Sequence, residues 1–547
     1  MRINGLRYLR WIPIAILAVA LLWYAALVFR FHTFGAIGTD PPTYVQMAVD
    51  LAQRGTVIHD FPLFTNLYDK GLSWDALITP GYRIVRETGV IAPTFAFGLP
   101  LLLALPYRVF GLDAINWTTP VLGAFSLAAT YLFGVELFRD QPAWKRQTIS
   151  ALAVLLLATS PKQIQLALVP MSDVPAQLFC VLAMWYALRA ARPDRFPKPV
   201  RSVRPLAYAT LCGVLLGFAY LIRHSALVLI IPLSLVASRW SDTVRQRLIL
   251  IAVALSALIL VMFPDFIYRA RTFGSPFAIE SPDSAQLVLP QAPLQFIGMV
   301  VALFSVTGFG VALVLAPLAW WALIREGRAW QAGVLITWLA AFGLFHAPLF
   351  LTGIFENNLR YLLPAYPAIA LSIAIGAIWI FEQAAKSFQL SLASKWLWLA
   401  FAILALGALI ISIRALIGPE RFVARAYGWM SETARRDLDS VNVQLPSNAV
   451  IGVSDQMAGA TLLYTQRDIF RPASLINSEQ EFPRLLEWMR GARRSVFVLG
   501  DWNCTPIATP SEELPAWLGN YAKEGLRLEI QELPYECMQR VWRISMR

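Results

Sequence analysis

Charge is scarce in this chain. Only 15% of its 547 residues are Asp, Glu, Lys or Arg, and 57% are hydrophobic. A soluble domain carries roughly 25% charged residues, so the several soluble domains that length alone suggests are excluded. What remains is a polytopic membrane protein. Cysteine and histidine are also sparse, with four of each. There is no CxxC pair and no His-rich ligand spacing, which removes structural zinc sites and thioredoxin-like redox motifs. No Walker A motif occurs, and Gly308-Phe309-Gly310 lies inside an apolar run. The absence of a nucleotide motif suits chemistry on an outer face, where nucleotide donors are scarce. The net charge of +12 does not indicate a nucleic-acid partner. No run of five or six like charges is present, and Lys and Arg gather in short loops between apolar runs, where they set orientation.

The apolar runs predict spans near 11–29, 114–138, 149–167, 174–190, 206–222, 225–238, 248–264, 296–320, 330–351, 362–381 and 396–415. The run 225–238 is short and could be re-entrant. The first follows Arg2, Arg7 and Arg10. It is long for a signal peptide and lacks an A-x-A site, so it reads as an uncleaved span. Basic loops then set the topology: Arg139, Lys145 and Arg146; Arg189 to Arg204; Arg239, Arg245 and Arg247; Arg325 and Arg328; Lys386 and Lys395. These fall on one side only if 93–113, with Pro93, Pro100, Pro106 and Arg108, does not cross. The expected fold is therefore an α-helical membrane protein of 11 spans. Its N-terminus is inside, and 31–113, the Asp173 loop, 265–295, 352–361 and the tail are outside.

Two stretches are not spans. In 31–92, Asp40 followed by Pro41 reads as a helix start, with Asp as N-cap and Pro at the first helical position. Tyr44, Met47, Ala48 and Leu51 then recur at helical spacing, predicting a juxtamembrane helix with its apolar face on lipid or on the bundle. The tail is polar. Strands are expected at 449–453, 495–499, 526–532 and 539–545, and helices at 456–464, 479–490 and 510–524. That describes a small extracytoplasmic α/β domain over 420–547 with a mostly parallel or mixed sheet, after a transmembrane unit over 1–415. No repeat or low-complexity segment stands out. Cys180 and Cys212 fall in spans as packing residues. Cys504 and Cys537, in the tail, could pair if that side is oxidising.

Two carboxylates flank spans on the predicted outer side. Asp40 sits in Gly38-Thr39-Asp40-Pro41-Pro42 and Asp173 in Met171-Ser172-Asp173-Val174-Pro175. Each also reads simply as a helix start, but a capping carboxylate beside a wet cavity can still serve as a general base toward a hydroxyl. Together they could hold a divalent cation through oxygen ligands. Arg360-Tyr361, Arg223-His224 and Lys162 bring cations to the same predicted side. Ionisable groups at membrane depth are functional candidates, although long side chains also snorkel to headgroups. Guanidinium groups suit phosphate oxygens. Gly213 and Gly217 form a GxxxG pair that reads as helix packing. His346 reads as a packing residue, and Asn503-Cys504-Thr505 matches a glycosylation acceptor pattern.

In order and predicted side, these stretches resemble the GT-C superfamily of integral membrane glycosyltransferases. The similarity is greatest to the bacterial branch of protein O-mannosyltransferases and the lipid A aminoarabinose transferase. Asp40, Tyr44, Ala48, Leu51, Ala52 and Gly55 resemble its first-loop acidic motif. Gly98-Leu99-Pro100 through Tyr107-Arg108-Val109-Phe110-Gly111 resembles the proline-rich segment that follows. Ser172-Asp173-Val174-Pro175 resembles its second acidic loop, and Arg360-Tyr361-Leu362-Leu363-Pro364 a late motif. Tyr268-Arg269-Ala270-Arg271-Thr272-Phe273-Gly274 is similar to a loop of the bacterial enzymes. The likeness covers roughly 1–415. Pro41 departs from the Asp-Glu of many relatives; Asp-Pro occurs in the related metal-dependent oligosaccharyltransferases.

The resemblance implies a polyprenyl-phosphate sugar donor held in the bilayer, and a glycan, lipid or protein acceptor on the outer face of the cell membrane. It implies Asp40 as base and Asp173 as acceptor-orienting group or metal ligand. Arg360, Tyr361, Arg269, Lys162, Arg223 and Tyr44 would stand around the donor phosphate. The competing classes are a lipid-linked-glycan flippase, which calls for internal repeats and mid-bilayer polar groups, and an O-antigen-type ligase or polymerase.

Overall fold

The computed structural model describes residues 11–67, 70, 72–85, 90–191, 203–278, 288–305, 307–348, 358–387, 427–475, 478–499, 526–531 and 541–546. The expected span at 396–415, the helix at 510–524, Cys504 and Cys537 lie outside them.

The apolar helix α1 (Trp11–Phe31) leads to one end of a helical bundle. There α2 (Asp40–Arg54) starts on two prolines and ends at Gly55, whose φ of 70° supplies the left-handed C-cap. A short helix α3 (Pro62–Leu67) and an antiparallel pair, β1 (Tyr82–Ile84) and β2 (Ile91–Pro93), complete this loop. Next come α4 (Gly98–Phe110), α5 (Ile115–Leu137), α6 (Ala143–Thr159), α7 (Pro161–Leu168) and α8 (Asp173–Ala190). They are followed by α9 (Val203–Ile222), α10 (Ile230–Ala237), α11 (Val244–Phe273), α12 (Ala292–Leu303), α13 (Leu315–Arg325) and α14 (Ala329–His346). A 3-10 turn, Leu359–Ala365, enters α15 (Tyr366–Ser387).

Among the described residues six helices are long and apolar enough to cross a membrane, or up to seven if a bent pair is one span. Three expected spans come out differently. The run 149–167 bends by 68° between α6 and α7. Pro161 lacks an N–H and disfavours a helical Ser160, so the helix stops and restarts. The run 296–320 divides into α12 and α13 around Gly308 and Gly310, and Gly310 takes a φ of 60°. The run 225–238 is a 3-10 turn, His224–Leu229, followed by the eight residues of α10. The segment 93–113 holds only the 13-residue α4, too short to span a bilayer.

Close backbone approach fixes the packing. A Cβ on Gly213 of α9 would sit 2.0 Å from the Ala254 carbonyl oxygen of α11, and one on Gly217 would be 2.7 Å from Val261 Cβ. The GxxxG pair therefore lets α9 and α11 touch. Helix α15 is the most enclosed of the long helices and α1 the least.

The tail begins with α16 (Glu432–Gln444), capped by Ser431, whose hydroxyl accepts from Ala434 N at 3.2 Å. Then follow β3 (Ala449–Gly452), α17 (Asp455–Thr465), β4 (Asp468–Phe470), α18 (Ser478–Gly491), β5 (Ser495–Leu499), β6 (Leu526–Gln531) and β7 (Val541–Met546). The sheet order is β4-β3-β5-β7-β6. β3 is parallel to β4 and β5, while β7 is antiparallel to β5 and β6. Strand β4 was not expected; at three residues it is too short to show a period. The first loop and the tail share one core, in which Met47, Leu63 and Phe64 pack with Phe470, Phe482 and Trp542. Buried Arg471 stitches them further, donating from Nε to the Ile78 carbonyl at 2.8 Å and from Nη1 to Asp455 at 3.0 Å.

Candidate functional site

Four chain ends converge at one end of the bundle: the starts of α2 and α8, the end of α9, and the turn before α15. Both acidic residues open helices, one position later than the sequence suggests. Thr39 and Ser172 hold the cap positions, and Asp40 and Asp173 are the first helical residues. Neither cap residue bonds the helix through its side chain. The carboxylates that follow them bond side chains.

Arg360 Nη1 donates to Asp40 Oδ2 at 3.0 Å. Thr39 Oγ1 donates to Asp40 Oδ1 at 2.9 Å, and the Tyr427 hydroxyl donates to the same oxygen at 3.2 Å. Both partners of the Asp40–Arg360 pair keep some solvent contact, with side chains 18% and 27% exposed. The second pair is deeper. Arg223 Nη1 donates to Asp173 Oδ1, and the Asp173 side chain is only 1% exposed. Its Oδ2 is buried with no hydrogen-bond partner among the described residues.

Tyr361 joins the two pairs. The guanidiniums of Arg223 and Arg360 each lie 4.9 Å from its ring centroid, within cation–π range. Arg360 Nη2 also donates to its hydroxyl at 3.0 Å. Tyr44, one turn after Asp40, donates to Ser172 Oγ at 3.3 Å. Burial, with Asp40 and Asp173 adding to it, pushes the Tyr44 hydroxyl well above its ordinary range. It is held as a neutral donor.

Arg269 and Lys162 stand elsewhere. Arg269, on α11, pairs with Asp265 at 2.7 Å, and its Nη2 donates to His224 Nε2 at 2.8 Å. It therefore belongs to a neighbouring cluster, joined to the first through the adjacent residues Arg223 and His224. Lys162 is buried on α7, whose residues pack against the turn carrying Arg360. A cleft of about 490 Å³ opens at the opposite end of the bundle, lined by Arg139, Arg239, Asp242 and Arg247 among others. No candidate residue lines it.

Asp40 and Asp173 do not form a ready-made cation cage. Ca²⁺ takes six to eight oxygen ligands, whereas Mg²⁺ takes one or two carboxylates with waters and substrate phosphates. Here each carboxylate faces a guanidinium, and no cluster of three His, Cys, Asp or Glu occurs among the described residues.

One contributor has no signal in the sequence. Tyr427 lies next to the tail's polar start, far from every motif, yet it reaches Asp40. Only the pairing of 33–38 with 427–430 reveals it.

No family model and no curated protein matches the sequence. Solved structures do match. ArnT from Cupriavidus metallidurans, in the apo state, aligns with a TM-score of 0.60 at 12% identity over 97% of both chains. The same protein bound to undecaprenyl phosphate gives 0.60 at 14% identity, again over 97% of both. The archaeal oligosaccharyltransferase AglB from Archaeoglobus fulgidus, in complex with an inhibitory peptide and a dolichol-phosphate, gives 0.58 at 13% identity, over 90% of this chain and 69% of that one. The chain has the GT-C fold. The resemblance read from the short motifs is thus a likeness of the whole architecture, and the GT-C likeness to ArnT runs through the tail as well as the bundle.

Proposed function

We propose that this chain is a membrane glycosyltransferase that moves a sugar from a polyprenyl-phosphate donor to a hydroxyl-bearing acceptor on the outer face of the cell membrane. One observation carries the reading. A partly exposed carboxylate and a partly exposed guanidinium are paired at one end of an apolar bundle, with a buried second pair behind them. The structural neighbours add support: ArnT was solved bound to undecaprenyl phosphate and AglB in complex with a dolichol-phosphate.

The resting Asp40–Arg360 pair is self-neutralising. A donor phosphate offers Arg360 a better partner, because bidentate guanidinium–phosphate bonds are strong and the lipid tail anchors the phosphate at headgroup depth. Arg360 swings to the phosphate and Asp40 is freed. In the transfer step the bond from sugar C1 to the phosphate oxygen breaks, and its electron pair stays on the phosphate. The acceptor oxygen bonds C1, and its proton passes to Asp40. C1 gains oxocarbenium character on the way. Arg360 offsets the charge growing on the leaving phosphate. Asp173 is too enclosed to meet an acceptor, so it acts by holding Arg223 against Tyr361. Arg269 is engaged by Asp265 and His224, and Lys162 is buried on α7, so neither is given a donor contact.

The opposite end carries Arg139, Arg239 and Arg247, which supports a cytoplasmic position for that end. The test uses full-length protein in proteoliposomes with labelled polyprenyl-phosphate sugars. Release of free polyprenyl phosphate, lost in Asp40→Asn, is expected. Movement of intact donor across the bilayer without cleavage would overturn the reading in favour of a flippase.

A further inference from the structure

Residues 33–38, between α1 and α2, are zipped to the first described residues of the tail. Phe34 N donates to the Met430 carbonyl at 3.0 Å, Ile37 N to the Gly428 carbonyl at 3.3 Å, and Met430 N to Thr33 Oγ1 at 2.9 Å. Ala36 and Trp429 form an antiparallel bridge. The approach is close enough to need glycine on both sides. Gly38 and Gly428 have φ of 88° and 92°. A Cβ on Gly38 would lie 3.2 Å from the Tyr427 ring, and one on Gly428 would lie 2.4 Å from Pro41 Cγ.

The zipper delivers Tyr427 onto the start of α2. Its hydroxyl accepts from the backbone N–H of Thr39 and of Asp40, both at 3.1 Å, and donates to Asp40 Oδ1 at 3.2 Å. The hydroxyl of Thr39 also contacts Tyr427. Burial and the nearby Asp40 carboxylate raise the Tyr427 hydroxyl above its ordinary range, which keeps its proton in place.

We infer that Tyr427 is a positioning residue: the tail caps α2 through this phenol and holds Asp40 Oδ1, so that Oδ2 stays aimed at the position Arg360 occupies and the carboxylate does not wander once Arg360 leaves. The catalytic role of Asp40 rests on the transferase reading; the cap itself does not. The arrangement makes transfer conditional on docking of the tail.

Two measurements on the full-length protein in detergent or proteoliposomes decide this. The first is amide hydrogen exchange over a peptide spanning 38–44. Pro41 and Pro42 have no N–H, so Thr39 and Asp40 contribute a large share of its signal. Tyr427→Phe is expected to expose both amides to exchange while the thermal midpoint stays near that of the wild type. Unchanged protection would overturn the cap. The second is donor cleavage. Turnover is expected to fall roughly tenfold with the donor KM nearly unchanged, because a hydrogen bond to a carboxylate is lost and no phosphate contact is. Lost protection with wild-type turnover would overturn the positioning role. Thr39→Val removes the other hydroxyl on Asp40 Oδ1 but leaves the phenol in place, so protection of the two amides is expected to persist; if Tyr427→Phe does not fold, Tyr427→Leu takes its place, and unchanged protection there overturns the proposal. If the wild type cleaves no lipid-phosphate sugar, the transferase reading and this role in it fail together, and the exchange result alone decides the cap.

Discussion

Arg360 and Asp40 are 320 residues apart in the chain and share a hydrogen bond of 3.0 Å. Neither is fully enclosed. The remaining exposure leaves both groups open to a ligand, so the pair's value is sought in binding and chemistry.

Replacing Asp40 with Asn keeps the size and loses the base. Cleavage of a labelled donor should fall by about 10²- to 10⁴-fold, the usual weight of a general base. The thermal midpoint should barely move. Near-normal turnover in vesicles would remove Asp40 from the mechanism.

Arg360→Ala should raise the donor KM by roughly tenfold or more, since a charge-assisted contact to phosphate is removed. The acceptor KM should change far less. Arg360→Lys should recover little, because an ammonium cannot reproduce both the bidentate grip and the stacking on Tyr361. Equal effects on both substrates would count against the phosphate role.

The Asp173–Arg223 pair behaves differently because it is buried. Asp173→Leu leaves the Arg223 guanidinium without its carboxylate and should cost about 3–5 kcal/mol. The double change Asp173→Leu with Arg223→Leu should regain much of that stability while remaining inactive, as thermal melting and donor cleavage can show. A single variant as stable as the wild type would contradict the buried pair.

Gly213→Leu should push α9 from α11, since even a Cβ would meet the Ala254 carbonyl oxygen. A loss of ~1–3 kcal/mol or more is expected from overpacking. Gly327→Leu is a useful control: a Cβ there meets nothing within 4 Å, so its cost, set by the positive φ of 75°, should be smaller. Equal losses for the two would argue against the close helix contact.

Much of the bundle could be read from the chain because apolar length is a local property. Trp11–Phe31, Ile115–Leu137 and Val203–Ile222 lie close to the expected spans. The breaks were harder to read. Ser160-Pro161 and Gly308-Phe309-Gly310 sit within continuous apolar runs, and a hydropathy pattern does not register where a helix stops. The candidate site divides in the same way. Asp40, Asp173, Arg223 and Arg360 stood out as charges next to apolar runs. Arg269 stood out equally and is engaged by Asp265 and His224. The sequence offers no way to tell which carboxylate a given arginine will meet.

By itself the sequence determined that the chain is a membrane protein of many helices, with acidic and basic residues at helix starts and ends. Those properties follow from composition and from periods of a few residues. Only the tertiary structure decided that Asp40 meets Arg360 and Asp173 meets Arg223, that Tyr361 lies between the two guanidiniums, and that the tail brings Tyr427 to the same carboxylate. Apart from the Arg360–Tyr361 neighbours, each is a contact between residues tens to hundreds of positions apart. Such contacts depend on how helices pack, through glycines that admit a neighbour and prolines that turn the chain, and local pattern does not encode that packing.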